Sequence, residues 1–273
     1  MRKVKDNILN GLVWLSAIFT IGILVIILGF IFVKGIGKIN LTFLTSNYST
    51  SGGGILPMIV TTLWTVLLSL AVATPIGVLG AVYLQEYAKQ GKMVKFIRFA
   101  TESLAGIPSI VYGLFGGIFF VVALKMGYSI LAGSLTVSII ILPVIIRTTE
   151  EALKTVPESY REASLGLGAT KFQTLYKVIL PSAMPGILSG VILSIGRIIG
   201  ESAAILLTAG TVAQMPKGIF SSARTLTVQA YLVTKEKGDI ETAAAVGIVL
   251  IVIILALNIS AKLIAKKFNK ANY

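Results

Sequence analysis

Six stretches of this sequence are long and apolar enough to cross a lipid bilayer, and that feature restricts the chain to one broad class of fold. They run about Leu12 to Val33, Ile55 to Leu84, Gly106 to Met126, Tyr128 to Ile146, Gly186 to Ala209 and Thr242 to Ile264. Each reaches the roughly 20 apolar residues that a helix needs to span the hydrocarbon core. With 55% of its residues hydrophobic and 13% charged, and a mean hydropathy of +0.91, a 273-residue chain is too apolar for a soluble domain. The expectation is an all-α integral membrane protein with six transmembrane helices, a single domain over residues 1–273. Pro57 and Pro75 lie in the long second stretch, which is expected to tilt, kink or begin as a surface helix. The third and fourth stretches meet at Met126, Gly127 and Tyr128, which reads as a tight extracytoplasmic hairpin.

The basic residues orient these spans. Fifteen lie on one side: Arg2, Lys3 and Lys5; Lys89, Lys92, Lys95 and Arg98; Lys154, Arg161, Lys171 and Lys177; Lys262, Lys266, Lys267 and Lys270. Seven lie on the other: Lys34, Lys38, Lys125, Lys217, Arg224, Lys235 and Lys237. The positive-inside rule then places both termini, and the loop between the fourth and fifth spans, in the cytoplasm. The basic start of residues 1–34 is like that of a signal peptide, but the apolar run is long and no small-residue cleavage site follows. That span is expected to remain as an N-terminal anchor ahead of a core over residues 55–264. The linker Lys34 to Gly54, ending Ser-Thr-Ser-Gly-Gly-Gly, is expected to be extracytoplasmic and mobile. Asn40-Leu41-Thr42 and Asn47-Tyr48-Ser49 match the glycosylation sequon, a tripeptide too common to carry a function.

Composition also removes whole classes of chemistry. Without histidine or cysteine there are no thiolate nucleophiles, disulfides, imidazole bases or ordinary zinc sites, and no metal site is expected. A net charge of +13 would point to nucleic acid in a soluble protein. Here the cations flank membrane spans, which fits topology and contact with anionic membrane lipid, and no basic stripe with interleaved aromatics marks a nucleic-acid partner. No phosphate-cradling G-x-x-x-x-G-K-[ST] occurs, since Gly37-Lys38 is followed by Ile39 and Gly91-Lys92 by Met93. No cofactor is expected in this chain, and any ATP and Mg would be bound by a separate ATPase subunit.

The polar segment between the fourth and fifth spans has its own logic. Pro157 and Glu158 suit the first turn of a helix, because proline lacks a donor that would be orphaned there and a carboxylate complements the dipole. The pattern predicts a helix over 158–166, a glycine turn at Gly166 and Gly168, and a restart at Lys171. Phe172, Leu175, Tyr176 and Ile179 are expected to share one apolar face. The whole reads as a rigid projecting knob, with a connecting loop on the membrane surface as the plainer alternative. The order Glu162-Ala163-Ser164, three residues, Gly168, nine residues, Val178, one residue, Leu180-Pro181 resembles the EAA loop of ABC-importer permeases. That loop is written E-A-A, three residues, G, nine residues, I, one residue, L-P. Ser164 replaces the third Ala and Val178 the Ile. The resemblance implies a type I (MetI-like) permease core in which residues 158–181 are the cytoplasmic coupling loop that grips an ATPase.

Charges also occur where lipid is expected. Arg197 and Glu201 lie four apart in an otherwise apolar span, so they are expected to share a helix face about one turn apart. They either neutralise each other there or line a path, where the guanidinium fork matches an oxyanion. Arg147 closes the fourth span ahead of Thr148, Thr149, Glu150 and Glu151, where it either snorkels to the interface or faces the same path. Residues 141–210 resemble the phosphate-specific branch of the ABC permeases, its PstA member more than its PstC partner, and the likeness extends through ATPIGVLGAVYLQEYA and AGIPSIVYGLFG. It implies that Arg147, Arg197 and Glu201, with Glu150 as companion, serve phosphate passage across a bacterial or archaeal cytoplasmic membrane. It further implies a PstC-like second permease, two copies of a PstB-like ATPase and a PstS-like binding protein. A permease for sulfate, molybdate or phosphonate, and an autonomous carrier or channel, are the competing readings.

Overall fold

The computed structural model describes residues 2–48 and 53–270, and the described residues are helices joined by mostly short connections, the longest at 209–225. Five helices are long and apolar enough to cross a membrane, and one bent pair makes a sixth if it is counted as a single span. Helix α1 (Arg2–Gly35) is followed by a 3-10 turn at Ile36–Lys38 and a short α2 (Leu41–Thr45), capped by the Asn40 side chain. The linker expected to be mobile therefore holds two short turns, while its residues 49–52 lie outside the described residues. Helix α3 (Leu56–Val82) runs on into a π-turn at Tyr83–Tyr87, with Pro57 in its first turn, where a missing N–H orphans nothing.

The third span differs from the expectation. Helix α4 (Lys92–Ala105) meets α5 (Ser109–Gly116, extended by a π-turn at Gly117–Ala123) at 100° across Gly106, Ile107 and Pro108. The continuous crossing expected over Gly106–Met126 is thus confined to 109–123. Pro108 has no N–H with which to extend the ladder of α4, so the chain turns there. Helix α4 is amphipathic: Val94 is buried while Met93, Phe96 and Phe99 are exposed.

Helix α6 (Ile130–Lys154) starts under a Ser129 cap and continues two turns past Ile146, so Arg147 and the acidic residues after it are helical. It packs on α3 and on α9 (Leu180–Gly200). Serine hydroxyls link α3 to α6, Ser69 donating to the Ser134 carbonyl at 3.0 Å and Ser138 to the Ser69 carbonyl at 3.1 Å. Gly190 lies against Thr148 so closely that a Cβ would overlap its hydroxyl. Small residues at the seam bring helices together where hydrophobic expulsion from water is absent. Val66, Val137, Ile141, Ile145, Ile195 and Ile198 fill the space between the three helices.

The fifth span is also broken. Helix α9 ends at Gly200, Glu201 is extended (φ −76°, ψ 126°), and the chain resumes as α10 (Ala203–Thr208). The shared face expected for Arg197 and Glu201 therefore does not exist. The end of α9 is held by α11 (Leu226–Lys237), whose Thr227 hydroxyl donates to the Ile199 carbonyl. Helix α12 (Ile240–Lys270) packs against α1, α9 and α11. Helix α1 sits outside the bundle with Trp14 and Leu15 exposed, as a lipid-facing helix requires.

Candidate translocation path and docking knob

The knob forms as its residues dictate. Pro157 precedes α7 (Glu158–Gly166), and Gly168 takes φ +84°, a left-handed angle that favours glycine. Thr170 and Gln173 then cap the start of α8 (Lys171–Thr174) reciprocally, the Gln173 N–H donating to the Thr170 hydroxyl at 3.2 Å and the Thr170 N–H to Oε1 of Gln173 at 2.9 Å. A hydroxyl contact at 2.9 Å between Ser164 and Thr174 closes α7 onto α8. Glu162, Ala163 and Gly168 are exposed on the outer surface, and Leu167 at the tip is 90% exposed. Val178 and Leu180 pack at the base with Leu153, Leu175 and Ile179, and Pro181 sits in the first turn of α9.

The single apolar face expected for the second helix is split. Leu175 and Ile179 are buried, whereas Phe172 and Tyr176 are exposed and stack on each other at 6.3 Å. Residues four apart keep a common environment and the split falls between the two pairs, where a π-turn at Leu175–Ile179 widens the helix.

Arg161 was not singled out by the sequence, and it is the best-connected cation of the knob. Its guanidinium donates to Glu86 at 2.8 Å, to Glu158 at 3.0 Å, and to the Val156 and Leu153 carbonyls at 3.3 Å each. The hydrogen bond to Glu86 raises its pKa above the ordinary guanidinium value, with desolvation opposing.

On the same side of the molecule, Arg147 and Glu150 share the wall of a cavity of about 560 Å³ with Arg98, Glu102 and Lys154. They do not pair with each other. Arg147 bonds Glu151 at 3.2 Å, both largely exposed, whereas Glu150, 9% exposed, accepts from Arg98 at 3.1 Å. Arg98 belongs to the amphipathic α4, whose polar inner face marks it only in retrospect.

Arg197 and Glu201 lie apart from that cavity and from each other's reach. Glu201 is buried and spends its carboxylate on the start of α10, accepting from the Ala204 N–H at 3.1 Å. Among the described residues Arg197 has neither an ion pair nor a hydrogen-bonded partner. It is exposed on a stripe of α9 that also presents Ser182, Pro185, Ser189, Leu193 and Gly200. Two serines, a glycine and the arginine leave this stripe less apolar than a lipid-facing surface, with Leu193 as its one large apolar residue. An arginine at mid-membrane costs roughly 2.5–3.5 kcal/mol on insertion scales, so this stripe calls for a wet or protein-covered neighbour.

Residues 73–270 match the family described as the binding-protein-dependent transport system inner membrane component. The chain belongs to this family. The permease is 35% identical to the probable ABC transporter permease protein YqgI of Bacillus subtilis, covering 96% of this chain and 95% of that one. It is 38% identical to the phosphate transport system permease protein PstA of Pasteurella multocida, over 76% of this chain and 75% of that one. In fold it resembles the alginate ABC transporter, with a TM-score of 0.68 at 16% identity over 98% of this chain and 95% of that one. A subunit of the MetNI methionine ABC transporter aligns with a TM-score of 0.61 at 20% identity, over 79% of this chain and 94% of that one. The architecture is the type I importer permease fold. The permease is a multi-pass membrane transport subunit, not a catalyst, and it works with a partner permease, a binding protein and a separate ATPase.

Proposed function

We propose that this permease is the PstA-like half of an ATP-driven importer of inorganic phosphate. The observation that carries the reading is Arg197, a guanidinium within a span, exposed on a stripe that also presents Ser182 and Ser189 and without a partner among the described residues. Its planar fork of donors matches two oxygens of a tetrahedral oxyanion. A PstC-like permease set against the α9 stripe would close a path around it, and the PstA relatives support phosphate as the cargo over sulfate, molybdate or phosphonate. Arg147 and Glu150 line the cavity at the knob end of that path, and Glu201 holds the break in the helix that presents Arg197.

The excess of basic residues on the knob side supports a cytoplasmic knob and cytoplasmic termini in a bacterial or archaeal inner membrane. A PstS-like protein delivers phosphate to the opposite face. Two PstB-like ATPase subunits bind ATP and Mg, and one of them seats on Glu162, Ala163, Ser164 and the Gly168 turn. Closure of the ATPases drives the knob as a lever and switches the path between its two sides.

The deciding experiment is ATP-dependent uptake of labelled phosphate and of labelled sulfate by the complete set of subunits in liposomes. Phosphate uptake that sulfate does not compete for is the expected result. Uptake of sulfate alone, or uptake by this chain without ATP, would overturn the reading. Sidedness is checked separately with an impermeant thiol reagent, which is expected to reach Ala169→Cys only after the membrane is opened.

A further inference from the structure

Helix α7 carries the knob, yet not one of its nine residues is buried. A helix this short is unstable alone, and with no buried apolar residue it must be anchored by polar contacts. Beside the Ser164–Thr174 hydroxyl contact, Arg161 provides most of them, with a side chain only 16% exposed. Its partners belong to different parts of the chain: Glu86 in the π-turn that ends α3, Leu153 near the end of α6, Val156 in the connector, and Glu158 in α7 itself. Glu86 lies 75 residues away in sequence and is 18% exposed. Cavities of about 200 and 490 Å³ flank the contact, and both residues line each of them. The bond between α7 and the end of α3 thus runs between two open clefts.

We infer that the Arg161–Glu86 pair is the tie through which displacement of the knob reaches α3, so that α7 and the end of α3 move as one body. The inference rests on the reading of the knob as the ATPase contact. A guanidinium suits the task because its rigid donor fork fixes direction as well as distance. Partial burial strengthens the pair relative to one in open water. Lysine could meet Glu86, but it cannot hold the two carbonyls and both carboxylates at fixed angles. Arg161 and Glu86 are positioning residues, acting on the path only through α3.

The test uses the complete transporter in liposomes and reads three quantities: anion uptake, ATP hydrolysis and copurification of the ATPase. Glu86→Ala and Arg161→Ala are expected to retain the ATPase and its hydrolysis while uptake per ATP falls about tenfold. Glu86→Gln leaves the carbonyl contacts of Arg161 in place, so a fall in coupling at an unchanged melting temperature separates transmission from folding. Because the chain has no cysteine, Glu86→Cys combined with Arg161→Cys can be bridged by a bifunctional methanethiosulfonate once the partner subunits are made cysteine-free. Coupling is expected to return on bridging and to vanish again on reduction. Full coupling in both Glu86→Ala and Glu86→Gln would overturn the tie, as would arrest of uptake on bridging. Should the unmodified complex move another anion, the phosphate reading fails while the coupling ratio for that anion still tests the tie. Absence of ATPase from the unmodified complex would overturn the docking reading and the tie together.

Discussion

The charges at the knob end and the charge inside the fifth span are treated in opposite ways. Near the knob, Arg98, Arg147 and Arg161 each hold a carboxylate within 3.2 Å. Within the span, Glu201 is occupied with the start of α10 and Arg197 stands without a partner among the described residues. A paired charge is part of the architecture, because removing its partner strands it. An unpaired arginine in a span is costly, which makes it a candidate for the translocation path and not a part of the scaffold.

The sharpest way to break this contrast is Arg197→Gln. Uptake is expected to fall about a hundredfold or more, the scale of losing a donor in a water-excluded site, with membrane abundance unchanged. Arg197→Lys keeps the charge but loses the fork and is expected to transport poorly. If abundance drops and an added Glu201→Gln restores uptake, Arg197 is a structural partner after all and the contrast collapses. Next in size is Gly168→Val at the knob. Forcing a β-branched residue to φ +84° costs roughly 1–2 kcal/mol or more, and uptake per ATP hydrolysed is expected to fall about tenfold while the chain stays in the membrane. Normal uptake with normal ATPase copurification would remove the knob from the coupling route.

Smaller effects sharpen the paired side. Glu150→Ala leaves Arg98 facing a vacated site, and thermal unfolding in detergent is expected to report a loss of about 1–3 kcal/mol, discounted from a fully buried pair because Arg98 is 31% exposed. Arg147→Ala, in a pair exposed to 69% and 61%, is expected to change stability by about 0.5 kcal/mol at most. Equal losses would show that burial does not grade these pairs. The smallest effect lies at the far end, where Asp239 accepts from the Thr242 N–H at 2.9 Å and from its hydroxyl at 2.7 Å. Those bonds hold its carboxyl below the usual carboxylate pKa. Its stabilisation is therefore present above the unfolded value of about 3.9 and is lost as pH falls through the lower folded value. Asp239→Asn should flatten that acid limb, and an unchanged pH profile would dismiss the cap.

The spans and the knob were legible in the sequence because each has a local cause: uninterrupted apolar length for α3, α6 and α12, and proline, glycine and capping residues for α7 and α8. The breaks were harder to see. Helix α4 hides half its surface behind charge, so an apolar-run reading passes over it and starts the span at Gly106. At Arg197 and Glu201 the four-residue spacing assumed an unbroken helix. Yet Gly200 followed by an acidic residue three before Ala204 is a stop and restart signal that could have been read. Pairings such as Arg98 with Glu150 and Arg161 with Glu86 span 52 and 75 residues. They are properties of the fold, and no local pattern announces them.

Among the described residues helix α1 packs on the bundle chiefly along α12, where Gly35 meets the backbone of Ala244 and Ala245. None of the apolar window of this helix is buried, so it forms a cooperative unit apart from the core. Heating in detergent should peel it away first, with its amide protons exchanging well ahead of those in α6.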